Sequence, residues 1–144
     1  MARRHYVEPT QRAGRALLQR GITGPVVMLN LLRFRAVADY AATPELTPAA
    51  PISGAEAFAR YAASTLPLLR ASGGNLVFLG AGAGVLIGPE EERWDQAMLV
   101  RQRSVKAFLA FAADEAYLAG LGHRTAAVED SRLLPLIELP APTT

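Results

Sequence analysis

The sequence predicts an α+β domain: a ferredoxin-like βαββαβ sandwich with an extra helix at its N-terminus. Three observations predict it. β-like apolar runs recur at 25–35, 75–88, 94–103 and 133–139. Stretches with apolar residues at i, i+3 and i+4 lie between them, at 53–71 and from 104 to about 121. With a further helical stretch at 9–20 set aside, the order of the two kinds reads βαββαβ.

In chain order, 1–8 is polar and expected to be flexible. Over 9–20, Ala13, Ala16 and Leu17 share one helical face, and Gly21 supplies a stop. Gly24-Pro25 breaks the chain before the greasiest strand, PVVMLNLLRFR. Alternation puts Val26, Met28, Asn30, Leu32 and Phe34 on one face, and Val27, Leu29, Leu31 and Arg33 on the other. Both faces are apolar, so both need a cover. The stretch 36–52 carries Pro44, Pro48 and Pro51 without periodicity and is expected to be a long loop near a pocket mouth. Ser53-Gly54-Ala55-Glu56 is a capping box opening a helix whose buried stripe includes Phe58, Tyr61, Thr65 and Leu69.

Leu76–Leu79 and Val85–Ile87 read as two halves of a broken strand around Gly80-Ala81-Gly82-Ala83-Gly84. That glycine run leads into another β run rather than a helix, so it marks a bulge or turn and not a phosphate loop. Trp94 to Arg103 is the next strand. Ser104 caps a helix, and Asp114 starts a shorter one that stops near Gly122. A polar connector over 122–131 leads to the last strand, 133–139, where Pro135 suits a sheet edge. The tail 140–144 is expected to be flexible. The whole is one domain over 1–144 with its core at about 25–139.

Composition narrows the function. The chain is 51% hydrophobic and 19% charged, with a net charge of +2, and 14 of its 15 basic residues are arginine. No basic cluster with interleaved aromatics appears, so nucleic acid is not an expected partner. Cysteine is absent, which removes thiolate chemistry and fits a cytoplasmic location. No secretory signal or membrane span is read. The two histidines, His5 and His123, do not sit in a metal-ligand spacing, and no cofactor is expected. No G-x-S-x-G elbow is present for acyl hydrolysis.

VVMLNLLRFR, SGAEAFARYA, SGGNLVFLGAG, WDQAMLVRQRSVKAFLAF and DEAYLAGLGHRTAAVEDSRL, in this order, resemble the bacterial domain of unknown function family 1330 within the dimeric α/β-barrel superfamily. The resemblance implies a ferredoxin-like homodimer, closed as a barrel through the open sheet face. It assigns no reaction. The wider superfamily includes cofactor-free monooxygenases, small-ring isomerases and ligand-binding modules.

Seven residues are candidates for chemistry. Asn30, mid-strand, is either a structural bridge or a ligand contact. Arg33 either grips a substrate carboxylate or pairs with an acid of the protein. Tyr61 has only its hydroxyl to offer. Trp94 is core, interface or an aromatic pocket wall. Asp95 is a general base if desolvated, and otherwise an arginine partner. His123 suits proton transfer near neutral pH, and the adjacent Arg124 suits anchoring an anion. Asp130 reads as a turn residue or arginine partner. Two function classes follow. One is a cofactor-independent enzyme, monooxygenase- or isomerase-like, acting on a small organic acid or ring compound. The other is a non-catalytic dimeric ligand-binding or stress-associated module. The enzyme reading requires His123, Arg124, Asp95 and either Asn30 or Arg33 to converge in one cavity. Asn30 and Arg33 are expected to fall on opposite faces of their strand.

Overall fold

The computed structural model describes residues 5–142. Its elements are α1 (Gln11–Gln19), β1 (Val26–Phe34), a 3-10 turn (Pro44–Leu46), α2 (Gly54–Ala71), β2 (Asn75–Ala81), β3 (Gln96–Gln102), α3 (Val105–Ala112), α4 (Glu115–Ala127) and β4 (Val128–Leu136). Four strands form one antiparallel sheet in the order β2-β3-β1-β4. This is the ferredoxin-like sandwich with an extra N-terminal helix. The barrel implied by the resemblance is corrected: β2 and β4 are free edges, so the sheet is open and does not close on itself.

Caps fix where the helices begin. Thr10, Ser53, Ser104 and Asp114 each accept a first-turn backbone N–H through a side-chain oxygen. At Ser53, Oγ takes the Glu56 N–H at 3.0 Å and donates to Glu56 Oε1 at 3.3 Å, so the cap forms but the reciprocal bond of a full capping box, from the Ser53 N–H to Glu56, does not.

Two boundaries differ from expectation. The polar connector at 122–131 does not exist. α4 runs through Gly122 to Ala127, and β4 follows at once, starting at Val128 rather than 133. Gly122 serves close packing instead of a stop: a Cβ there would sit 2.6 Å from Thr43 Oγ1 and 2.7 Å from Leu46 Cδ1. Ala126, Ala127 and Val128 are completely buried, so core packing carries the chain from helix to strand. The second difference concerns Val85–Ile87, which form no half of a sheet strand. β2 ends at Ala81, and the β2–β3 connection projects as a narrow arm. The bonds Gly82 N→Asp95 O, Trp94 N→Ala83 O and Val85 N→Glu92 O hold it together. Leu86 and Ile87 stand at its tip, 99% and 93% exposed.

Two apolar clusters sit between sheet and helices. One gathers Leu32, Tyr40, Ala57, Phe58, Ala126, Ala127 and Val128. The other gathers Val26, Met28 and Val105, with Leu17 of α1 against it. The even-numbered β1 residues therefore face the helices. The odd face carries Val27, Leu29 and Leu31, opposite Leu99 and Ala97 of β3. It continues through Phe78 on β2 and Leu134 on β4 and is left without a full cover by the described residues, since Phe78 is 56% and Leu134 52% exposed.

The loop 36–52 is ordered against the helix layer. Ala38 N donates to Ile52 O and Asp39 N to Ala126 O, both at 2.9 Å, and Tyr40 is buried in the core. In the N-terminal stretch, Tyr6 and Val7 are tied down. The Tyr6 N–H donates to Asp130 Oδ1 at 2.8 Å, and Arg124 Nη1 donates to Val7 O at 2.8 Å. The remainder of that stretch, 1–4, and residues 143–144 of the tail lie outside the described residues.

Candidate functional site

An open cleft of about 500 Å³ lies where β1 ends, beside the first turn of α2 and the base of the arm. Phe34, Arg35, Ser53, Arg93, Asp95 and Gln96 line it, with Ala36 and Ala55. Arg35 is held by its backbone at both ends: its N–H donates to Ala127 O at 2.9 Å, and its carbonyl accepts from Gly54 N at 3.0 Å. Among the described residues Arg35 has no ion pair, and its Nε is buried without a hydrogen-bond partner. Asp95 differs. One carboxylate oxygen takes the Phe34 N–H at 2.8 Å and the other takes Arg93 Nη1 at 3.1 Å, so each is held by one donor.

A second polar group lies in the helix layer. His123 Nδ1 and the Tyr40 hydroxyl are 2.8 Å apart, with the rings edge-on. Burial, and then the charge of Arg60, push the His123 pKa below its usual value. Burial raises the Tyr40 hydroxyl, partly offset by Arg60. Both groups are therefore neutral at pH 7. His123 does not line the cleft.

A third group sits at the edge formed by β4. Asp130 accepts from Arg132 Nη1 at 2.8 Å and from the N–H groups of Tyr6 and Ser131. Burial acts to raise its pKa, but these donors outweigh it and hold the carboxyl below the usual range. The Arg132 guanidinium lies over both the Tyr6 and Trp94 rings, 4.8 and 5.1 Å from their centroids.

The other candidates fall apart from one another. Asn30 faces the helices at the seam between the two clusters and donates to Met28 O at 3.2 Å. Arg33 lies on the opposite face, with Nε 3.1 Å from Glu129 Oε2. Tyr61 shares a hydrogen bond with the Tyr117 hydroxyl at 2.9 Å, and burial, then Tyr117, raise its pKa strongly. Trp94 is buried and donates its indole N–H to Glu92 at 3.2 Å. Arg124 is tied to the Val7 carbonyl. Of the seven candidates the cleft collects Asp95 alone.

Sequence reasoning missed Arg35, Arg93 and Tyr40. Strict alternation assigns Arg35 to the same face as Arg33. A register shift between Arg33 and Phe34, where β1 meets β4, interrupts that alternation, and Arg35 follows the last strand residue. The signal for Tyr40 was a lone aromatic in an Ala/Pro-rich loop, which buries readily. No group of three or more metal-ligating side chains occurs among the described residues. None of the described helices is long and apolar enough to cross a membrane.

Fold and site together define a small ferredoxin-like α+β protein with an open sheet and a cleft with charged residues at a strand end. The chain belongs to the family described as domain of unknown function DUF1330, whose model matches residues 49–135, more than half of its length. It is similar to a protein of unknown function from Rhodopseudomonas palustris, seen in two crystal structures. The two match at 35% identity over 96% of this chain. The TM-score is 0.83 over 100% of that chain, and 0.84 over 98% for its methylated form. No curated protein matches this chain.

Proposed function

We propose that this protein is a homodimeric, non-catalytic binding module for a small organic molecule, with the cleft at Arg35 as its ligand site. The observation that carries this reading is how the polar groups are used. Asp95, Arg33, Asn30, Tyr61 and Arg124 each contact another group of the chain. Arg35, at the cleft, has no ion pair among the described residues, and its buried Nε has no hydrogen-bond partner. Two copies pair through the apolar odd face of the sheet, which leaves the cleft at its rim open to ligand. A chain without cysteine suits the reducing cytoplasm, where we place it.

The enzyme reading keeps one observation in its favour: the neutral His123–Tyr40 pair, able to exchange a proton. A panel of small aromatic acids and lactones, followed by thermal unfolding and by product analysis, separates the two. A binding module is stabilised by about 2.7 kcal/mol at a hundred times the dissociation constant and returns its ligand unchanged. Turnover of a bound compound that is abolished in His123→Ala would establish the enzyme and overturn the module.

A further inference from the structure

The cleft has a charge pattern that selects a class of ligand. Arg93 is neutralised by Asp95 at 3.1 Å. Arg35 has no such partner among the described residues, so the charged groups lining the cleft leave one positive charge unmatched. A guanidinium carries its five donors in a planar fork, and one of them, Nε, is already withdrawn from water without an acceptor. Nε is shielded even from a water-sized group, so the terminal Nη nitrogens, which bond to no group among the described residues, are the donors that meet a ligand oxygen. The two backbone bonds to Ala127 and Gly54 hold the origin of the Arg35 side chain in place. Ala55, the second residue of α2, also lines the cleft. Its N–H lies in the first turn, where the helix offers no carbonyl, and the Ser53 hydroxyl caps the Glu56 N–H instead. Phe34 gives the cleft an apolar wall.

We infer that the cleft binds a monocarboxylate with a flat or apolar body: Arg35 takes the carboxylate and Phe34 the body. Asp95 does not repel such a ligand strongly, because both of its oxygens are engaged by Arg93 and the Phe34 N–H. A dianion would meet only one unmatched positive charge, so its second carboxylate would lose water without gaining a partner. This inference rests on the reading of the protein as a binding module and narrows it to an anion.

The test is a titration of the full chain, labelled with nitrogen-15, with benzoate and separately with benzamide, its uncharged isostere. The Ala55 amide and the Arg35 Nε–H are the reporters. Benzoate is expected to shift both saturably, and benzamide to bind about tenfold more weakly or worse, as fits the loss of a charge-assisted hydrogen bond. Arg35→Met is expected to abolish the saturable Ala55 shift. Arg35→Lys keeps the charge but loses the fork, and is expected to weaken benzoate without abolishing it. The spectra themselves show whether each variant is folded. Equal binding of benzoate and benzamide at the cleft, or benzoate binding unchanged in folded Arg35→Met, overturns the carboxylate assignment and leaves the binding module standing. Saturable shifts confined to another part of the chain also overturn it. No saturable shift with either probe anywhere in the spectrum overturns both readings.

Discussion

Gly54 is where the cleft is built, and it has no room for a side chain. A Cβ there would collide with Arg35 O and lie 2.7 Å from Ala127 O and 2.8 Å from Arg35 N. All three are backbone atoms, so none can rotate away. Its own N–H closes the bond to Arg35 O, which ties the end of β1 to the start of α2. Gly54→Ala is therefore expected to cost about 1–3 kcal/mol, the range for overpacking a tight site. Gly14 is the opposite case: it lies inside α1, and nothing stands within 4 Å of an added Cβ. Gly14→Ala is expected to stabilise by about 0.5–1 kcal/mol, because glycine loses more backbone freedom on helix formation. Urea midpoints that move in opposite directions for the two substitutions confirm the contrast. Movement of both in one direction refutes it. The sequence marks both glycines as helix residues and separates them no further, because the Gly54 contacts lie at 35 and 127.

At the scale of elements, residues 36–52 were unreadable from periodicity because their order comes from partners distant in sequence. Asp39 bonds to Ala126, Tyr40 to His123, and Thr43 and Leu46 abut Gly122. The segment is thereby strapped onto α4. The His123–Tyr40 bond is the titratable part of that strap. Its environment includes Arg60, which disfavours a second positive charge. The folded His123 pKa lies below the unfolded 6.5, so between those two values the unfolded chain holds more protons. Stability from this group is present above pH 6.5 and is lost as pH falls through the folded value. Acidification from pH 7.5 to 5 is expected to lower the denaturation midpoint and to lower the protection factor of the Asp39 amide, its exchange rate divided into the intrinsic rate at the same pH. His123→Asn is expected to flatten that pH dependence. An equally steep slope in the variant would show that other groups cause it. Asp130 acts lower on the scale: its depressed carboxyl contributes stability above 3.8 that is lost as pH falls further.

For the whole molecule, the element order alone carried the sandwich, since a split βαβ leaves few ways to pair four strands. Closure was a different matter. It depends on where the sheet edges go, and alternation along a strand says nothing of edges. The open sheet leaves a physical problem that local sequence did signal: Val27, Leu29, Leu31, Leu99, Phe78 and Leu134 share a face that no helix covers. A contiguous apolar face of this kind marks an association surface. Leu29 and Leu99 oppose each other on the two central strands, so they sit at its middle. Two copies packed sheet against sheet would place Leu99 in a water-free layer about 10 Å deep. A charge there is left unpaired and desolvated, at a cost of several kcal/mol. Leu99→Lys is therefore expected to turn a dimer into a folded monomer in sedimentation equilibrium, with the circular dichroism of the fold retained. The arm tip supplies the competing surface, since Leu86 and Ile87 are almost fully exposed. If Leu86→Ser dissociates the dimer and Leu99→Lys does not, copies join through the arm and the sheet face must serve another partner. If the unaltered chain sediments as a monomer, the face is free and the homodimer is wrong.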